Sequence, residues 1–300
     1  MNKITECILT AVKGVAMGAA DVIPGVSGGT IAFMTGIYDK LINSISSIDT
    51  EAIKLLFKGH FKEFWKHING TFLLSLACGI LISILSLANL MQYLLNHHPI
   101  QTWAFFFGLI VASSIFILKG IKGWRWQDAL VLVFGILLGV TVCTLSPTQT
   151  PEALWFIFLS GAIAICAMIL PGISGSFILL ILGKYEFIMG AISGLTSGHF
   201  QESILILLVF GIGAIIGLLS FAKLINWLLS KYHKATLLAL AGFIIGSLVK
   251  VWPWNDMTAI AESQNNALTL NMHYGEAIIF ALIGFFLVSG IEYGAKLFKK

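Results

Sequence analysis

Twice in this sequence a long apolar stretch is cut near its middle by Pro-Gly-x-Ser-Gly, and that cut rules out a single straight helix through either stretch. Residues 8–37 are interrupted at Ile23-Pro24-Gly25-Val26-Ser27-Gly28-Gly29, and residues 154–183 at Leu170-Pro171-Gly172-Ile173-Ser174-Gly175-Ser176. Proline removes a backbone donor and fixes φ, while glycine favours non-helical φ, so a helix breaks at such a site. Each arm falls short of the roughly 20 residues that a spanning helix needs. The pattern predicts two re-entrant helical hairpins, each with its tip inside a membrane.

The rest of the chain requires that membrane. Of its 300 residues 58% are hydrophobic and only 11% are charged, against about 25% charged in an ordinary soluble domain. Six apolar runs are long enough to span: 70–95, 101–119, 127–146, 204–229, 235–251 and 276–294. The fold class that follows is an all-α polytopic membrane protein. The first apolar run carries Lys13 and Asp21, so it reads as a hairpin arm rather than a cleaved leader.

The two breaks are copies. Pro24 recurs as Pro171, 147 residues on, and the same offset relates Gly25, Ser27, Gly28, Ile31, Gly36 and Tyr38 to Gly172, Ser174, Gly175, Ile178, Gly183 and Tyr185. Further along, Gly79, Ser86, Ala88, Gly108 and Ser113 recur as Gly213, Ser220, Ala222, Gly242 and Ser247 at an offset of 134, which makes 13 residues an insertion in the first copy. The chain divides into repeat one, 1–146, and repeat two, 147–300, each a hairpin followed by three spans. With re-entrant hairpins, sixteen of the 18 Lys and Arg residues fall on one side, and Lys184 and Lys250 on the other. The positive-inside rule makes the first side, with both termini, cytoplasmic. Repeat two then starts from the outside, so the repeats are inverted, as in many secondary transporters. A hairpin that crossed twice would give the same parity; only arm length favours re-entry.

The insertion lies in a cytoplasmic stretch. Lys54, Lys58, Lys62 and Lys66 recur every four residues, which predicts one stripe on an interfacial helix over about 51–68, resting on anionic membrane lipid.

The tips have a chemical use. A helix that starts just after Pro-Gly offers free N–H groups and the positive end of its dipole to an anion, glycine lets the backbone approach the ligand, and hydroxyls add donors. Ser27, Thr30, Ser174 and Ser176 are the candidate donors, on tips framed by Pro24, Gly25, Pro171 and Gly172. Asp21 stands three residues before Pro24 and has Met168 as its counterpart. An intramembrane carboxylate reads either as the holder of a coupling proton or cation or as a cap on N–H groups freed by the break.

Other chemistry is sparse. The four cysteines show no CxxC spacing, the seven histidines fall in loops or at segment ends, and no metal ligand set or cofactor site is legible. A Walker A motif is absent, so ATP does not power the chain directly, and no nucleic-acid surface is evident. Oligomeric state is not encoded in any feature of the sequence.

The run Gly14-Val15-Ala16-Met17-Gly18-Ala19-Ala20-Asp21-Val22-Ile23-Pro24-Gly25-Val26-Ser27-Gly28-Gly29-Thr30, on to Gly36-Ile37-Tyr38, closely resembles a bacterial and archaeal membrane family associated with polyprenyl-phosphate transport, the PopT translocases. With the second copy, the resemblance covers essentially the whole chain. It implies movement of undecaprenyl phosphate across the cytoplasmic membrane, returning the spent lipid carrier for cell-wall and surface-polymer synthesis. It also implies phosphate contacts at Ser27, Gly28, Gly29, Thr30, Ser174, Gly175 and Ser176. Two other readings stay open. A transporter of a small soluble anion suits the tips equally well. A polyprenyl-pyrophosphate phosphatase shares the general plan, but phosphoryl transfer calls for cations or metal-holding acids, and the tips contain no Arg, no His and no acidic cluster.

Overall fold

The computed structural model describes residues 3–21, 27–146, 150–194, 200–255, 260–261 and 272–297, and these are helical with turns between. Pro24 and Gly25 of the first motif lie outside the described residues.

Both apolar stretches break as the motifs require. In the first, α1 (Lys3–Asp21) precedes the break and α2 (Gly28–Met34) follows it. The second copy has α9 (Leu154–Ile169) and α10 (Gly175–Ile181). In each hairpin the short helix packs back on the long one. The two short helices are built alike. Ser27 and Ser174 are their N-caps, accepting from the N–H of Gly29 and of Phe177 respectively. Gly36 (φ 68°) and Gly183 (φ 60°) end them in the left-handed conformation that stops a helix. Seven residues extend about 10 Å, so neither short helix crosses a bilayer alone. The chain then turns into α3 (Tyr38–Ser46) and α11 (Tyr185–Gly194), and α10 with α11 forms an apolar pair bent by 112°.

Of the six runs expected to span, three appear as α6 (Gly70–His97), α7 (Pro99–Gly120) and α8 (Trp126–Thr144). The runs 204–229 and 235–251 fall mostly in one helical stretch, α12 (Phe200–Ser247), which leaves helical geometry at Tyr232 (φ −130°, ψ 43°). The last lies in α13 (Tyr274–Leu297), whose apolar part, Tyr274–Gly290, is shorter than a full span. Four helices among the described residues are therefore long and apolar enough to cross a membrane, or five if the bent pair counts as one.

The interfacial helix expected over about 51–68 is not continuous. It forms α4 (Thr50–Phe57) and α5 (Phe61–His67), separated by Gly59 at φ 75°. Asp49 caps α4 by accepting from the N–H groups of Glu51 and Ala52. The four-residue spacing of the lysines continues across the break, but the single helical stripe does not: Lys54 lies on α4, Lys58 caps its end, and Lys62 and Lys66 lie on α5.

The helices pack as two compact units, 1–83 with 145–233 and 84–144 with 234–300. Each takes one part from either half of the chain, and equivalent glycines set the close helix crossings within each. In the first unit, Gly14 and Gly79 bring α1 and α6 so close that a Cβ on either would strike a backbone carbonyl, of Leu76 and Ala11 respectively. Gly161 and Gly213, the same positions one repeat later, do the same for α9 and α12 against the carbonyls of Phe210 and Phe158. In the second unit the partners are exchanged. Gly108 of α7 faces Ala281 of α13, while its counterpart Gly242 of α12 faces Leu132 of α8. Close backbone approach over small residues is how apolar helices associate where no hydrophobic contrast drives them together.

Candidate functional site

Within the first unit the two broken tips meet directly. The Ser27 hydroxyl donates to the carbonyl of Leu170 at 3.2 Å and approaches that of Met168 at 3.4 Å. In return the N–H of Gly172 donates to Oγ1 of Thr30 at 2.8 Å. Gly29 permits this closeness, since a Cβ there would lie 2.7 Å from the carbonyl oxygen of Ile169. Helix breaks leave orphan donors and acceptors, and the carbonyls released at the end of α9 are met by the first tip.

The described part of the first tip, Ser27 to Thr30, is largely engaged in these and neighbouring bonds. Ser27 and Thr30 are almost wholly buried. The N–H of Gly29 goes to Ser27 Oγ at 3.1 Å, and that of Gly28 goes to Oδ1 of Asp21 at 2.7 Å. Asp21 thus caps the helix that follows its own break. Gly28 leaves room for that carboxylate, which a Cβ would approach to 2.5 Å.

The second tip is open. Ser174, Gly175 and Ser176 line a cavity of about 300 Å³, with Asp21 on its wall. Ser174 Oγ and Ser176 Oγ lie 3.2 Å apart, and the N–H groups of Gly175 and Ser176 have no partner among the described residues. The remaining wall is hydrocarbon, including Ile165, Leu179, Phe210 and Ala214. Of the predicted site residues the structure gathers Asp21 with Ser174, Gly175 and Ser176 around one space. It places Ser27, Gly28, Gly29, Thr30 and Gly172 in the scaffold beneath, with Pro171 buried beside them.

A profile of the undecaprenyl phosphate translocase-like family matches residues 17–269, a span that contains both tips and every wall of this cavity. The chain belongs to that family. A polyprenyl-phosphate transporter of Vibrio cholerae is 46% identical over 255 residues, covering 85% of this chain and 80% of that protein. One of Staphylococcus aureus is 36% identical over 258 residues, covering 82% and 86%. No solved structure matches the chain.

Family membership makes this a multi-pass membrane transporter rather than an enzyme. The cavity lining holds one acid and no basic side chain. No group of three His, Cys, Asp or Glu among the described residues is placed to hold a metal ion.

Two features of this family member were missed in the sequence. The apolar half of the cavity comes from α9, α10 and α12, whose facing residues are indistinguishable by pattern from ordinary core. Lys184, counted as an outer-loop charge, is only 2% exposed. Its Nζ donates to the carbonyl of Thr150 at 3.0 Å and lies 5.2 Å and 5.8 Å from the ring centres of Phe187 and Phe156. The Thr150 hydroxyl donates to the Leu182 carbonyl, so the ammonium secures the C-terminal end of α10. The available signal was its position directly after Gly183, where a cation favours a helix C-terminus.

Proposed function

We propose that this protein translocates undecaprenyl phosphate across the cytoplasmic membrane, returning the spent carrier for envelope synthesis. The observation that carries this reading is the cavity at the second tip. Hydroxyl and N–H donors face it from Ser174, Gly175 and Ser176, and hydrocarbon faces it from Phe210, Leu179 and Ile165. Such a lining suits a phosphate joined to an isoprenoid better than a fully hydrated anion, whose whole surface calls for polar partners. The names of the two relatives, each a polyprenyl-phosphate transporter, support the same substrate.

In this reading the chain is an inverted repeat with both termini cytoplasmic. The two Pro-Gly-x-Ser-Gly tips form the phosphate site together: the second supplies contacts in the described state, and the first supplies Ser27, Gly28, Gly29 and Thr30 when the tips part. The lysine-bearing stretch 50–67 rests on anionic lipid. Asp21 sits on the wall of the cavity that takes the phosphate. Two negative groups there repel unless a proton or cation accompanies the substrate, which makes Asp21 the coupling group.

The test uses purified protein in liposomes carrying undecaprenyl phosphate and a membrane-impermeant phosphatase outside. Exposure of inner-leaflet lipid phosphate should be faster than in empty liposomes and than with the Ser174→Ala/Ser176→Ala protein. Folded protein that gives no acceleration overturns the reading, and uptake of inorganic phosphate by the same liposomes then tests a soluble-anion transporter.

A further inference from the structure

A larger cavity, of about 420 Å³, lies elsewhere in the first unit, between α1, α3, α5 and α6. Lys40, Lys62 and Lys66 line it, against one carboxylate, that of Glu6. Lys40 is already engaged: its Nζ is 3.0 Å from Glu6 Oε1 and 4.8 Å above the ring of Phe72. Lys62 and Lys66, one turn apart on α5, have no partner among the described residues.

The Trp65 part of the wall is held by its neighbours. Trp65 donates from Nε1 to the hydroxyl of Thr71 at 3.0 Å, and its ring lies where a Cβ on residue 70 would sit, so the seat exists because residue 70 is glycine. Thr10, Asn69 and Ser75 add polar groups to the lining, and Phe72 adds apolar surface. The break at Gly59 matters here, because it separates the helix bearing Lys62 and Lys66 from Lys54 and Lys58, which do not line the cavity. A generic basic surface would treat all four lysines alike. This arrangement selects two of them and lines the same cavity with an indole.

We infer that this cavity is a second anion site, separate from the tips, that takes a phosphomonoester group. Two unpaired ammonium groups one turn apart can close on the oxygens of one phosphate with charge-assisted hydrogen bonds. The Trp65 and Phe72 faces accommodate the first carbons of a lipid chain. Only the expectation that the lipid is a polyprenyl phosphate rests on the proposed function; the site itself does not.

The experiment measures binding of farnesyl phosphate, a short polyprenyl monophosphate, to the full-length protein in nanodiscs of phosphatidylcholine. Lys62→Gln/Lys66→Gln should weaken it at least about tenfold, while Lys54→Gln/Lys58→Gln, which removes the same charge from the same stretch, should leave it unchanged. Gly70→Ala, which displaces Trp65 with every charge in place, should weaken it as well. Equal losses in the two double variants reduce the site to surface charge and overturn the inference, as does no loss in either. Inorganic phosphate that displaces the probe at comparable concentration identifies free phosphate as the ligand; failure to displace it identifies the lipid-borne group. A binding class sensitive to Ser174→Ala/Ser176→Ala but not to Lys62→Gln/Lys66→Gln would uphold the tip site and reject this one, and the opposite pattern would do the reverse.

Discussion

The N–H of Gly172 donates to the side-chain oxygen of Thr30 at 2.8 Å, tying the break in one half of the chain to the break in the other. Thr30 is 1% exposed, so this bond has no competition from water. Thr30→Val keeps the shape but leaves the Gly172 donor buried and unpaired, at a cost of about 1–3 kcal/mol, whereas Thr30→Ser keeps the acceptor. The thermal unfolding midpoint in detergent should fall for the valine variant and stay close to wild type for serine. Equal midpoints for the two would mean the bond between the tips contributes nothing.

The two tip serines should separate by phenotype. Ser27 is completely buried, and its hydroxyl both caps α2 and bonds the end of α9. Ser27→Ala removes an N-cap, worth about 0.5–2 kcal/mol, and should lower the unfolding midpoint. Ser176 is half-buried on the cavity wall, so Ser176→Ala should leave the midpoint nearly unchanged while slowing translocation about tenfold in the liposome assay. If Ser176→Ala unfolds early and transports normally, the open tip has been assigned to the wrong copy.

What sequence could and could not convey divides along physical lines. Backbone-determined features were legible: the two helix breaks and the start of a new helix just after each, because Pro and Gly act on the backbone they belong to. That Ser27 and Ser174 cap those helices and Gly36 and Gly183 end them emerged only from the structure. Pairings between distant segments were not. Nothing local distinguishes Ser27, which faces a carbonyl of the other half, from Ser176, which faces a cavity. The cut in the lysine stripe was missed because a four-residue spacing outweighed Gly59, although a single glycine with positive φ suffices to start a new helix. The exchange of partners by Gly108 and Gly242 was also out of reach, since equal residues in equal positions pack on different helices.

Asp21 offers a test that separates capping from coupling. Its Oδ1 accepts from Gly28, and Asp21→Asn retains an acceptor there, so the variant should fold. A protonated Asp21 does not repel a phosphate in the shared cavity, so translocation by the native protein should decline as pH rises and Asp21 loses its proton. In Asp21→Asn that decline should flatten. The second ionisation of the substrate, near pH 6 for a phosphomonoester, affects both proteins alike, so the difference between their profiles isolates the side chain. Identical profiles would leave Asp21 as a cap and place the coupling group elsewhere.

The close helix crossings give a test with a control one half-turn away. A Cβ on Gly213 would run into the backbone carbonyl of Phe158, whereas one on Gly211, in the same helix, meets nothing within 4 Å. A backbone atom cannot swing aside as a side-chain end can, so Gly213→Ala forces α9 and α12 apart and should cost about 1–3 kcal/mol. Gly211→Ala gains helix propensity, up to about 1 kcal/mol, and should raise the unfolding midpoint or leave it unchanged. Gly79→Ala, the same position one repeat earlier and set against the carbonyl of Ala11, should match Gly213→Ala in sign and rough size. If Gly79→Ala is tolerated while Gly213→Ala is not, the two crossings are not energetic equivalents, and the repeat would be a relation of sequence without a matching division of stability.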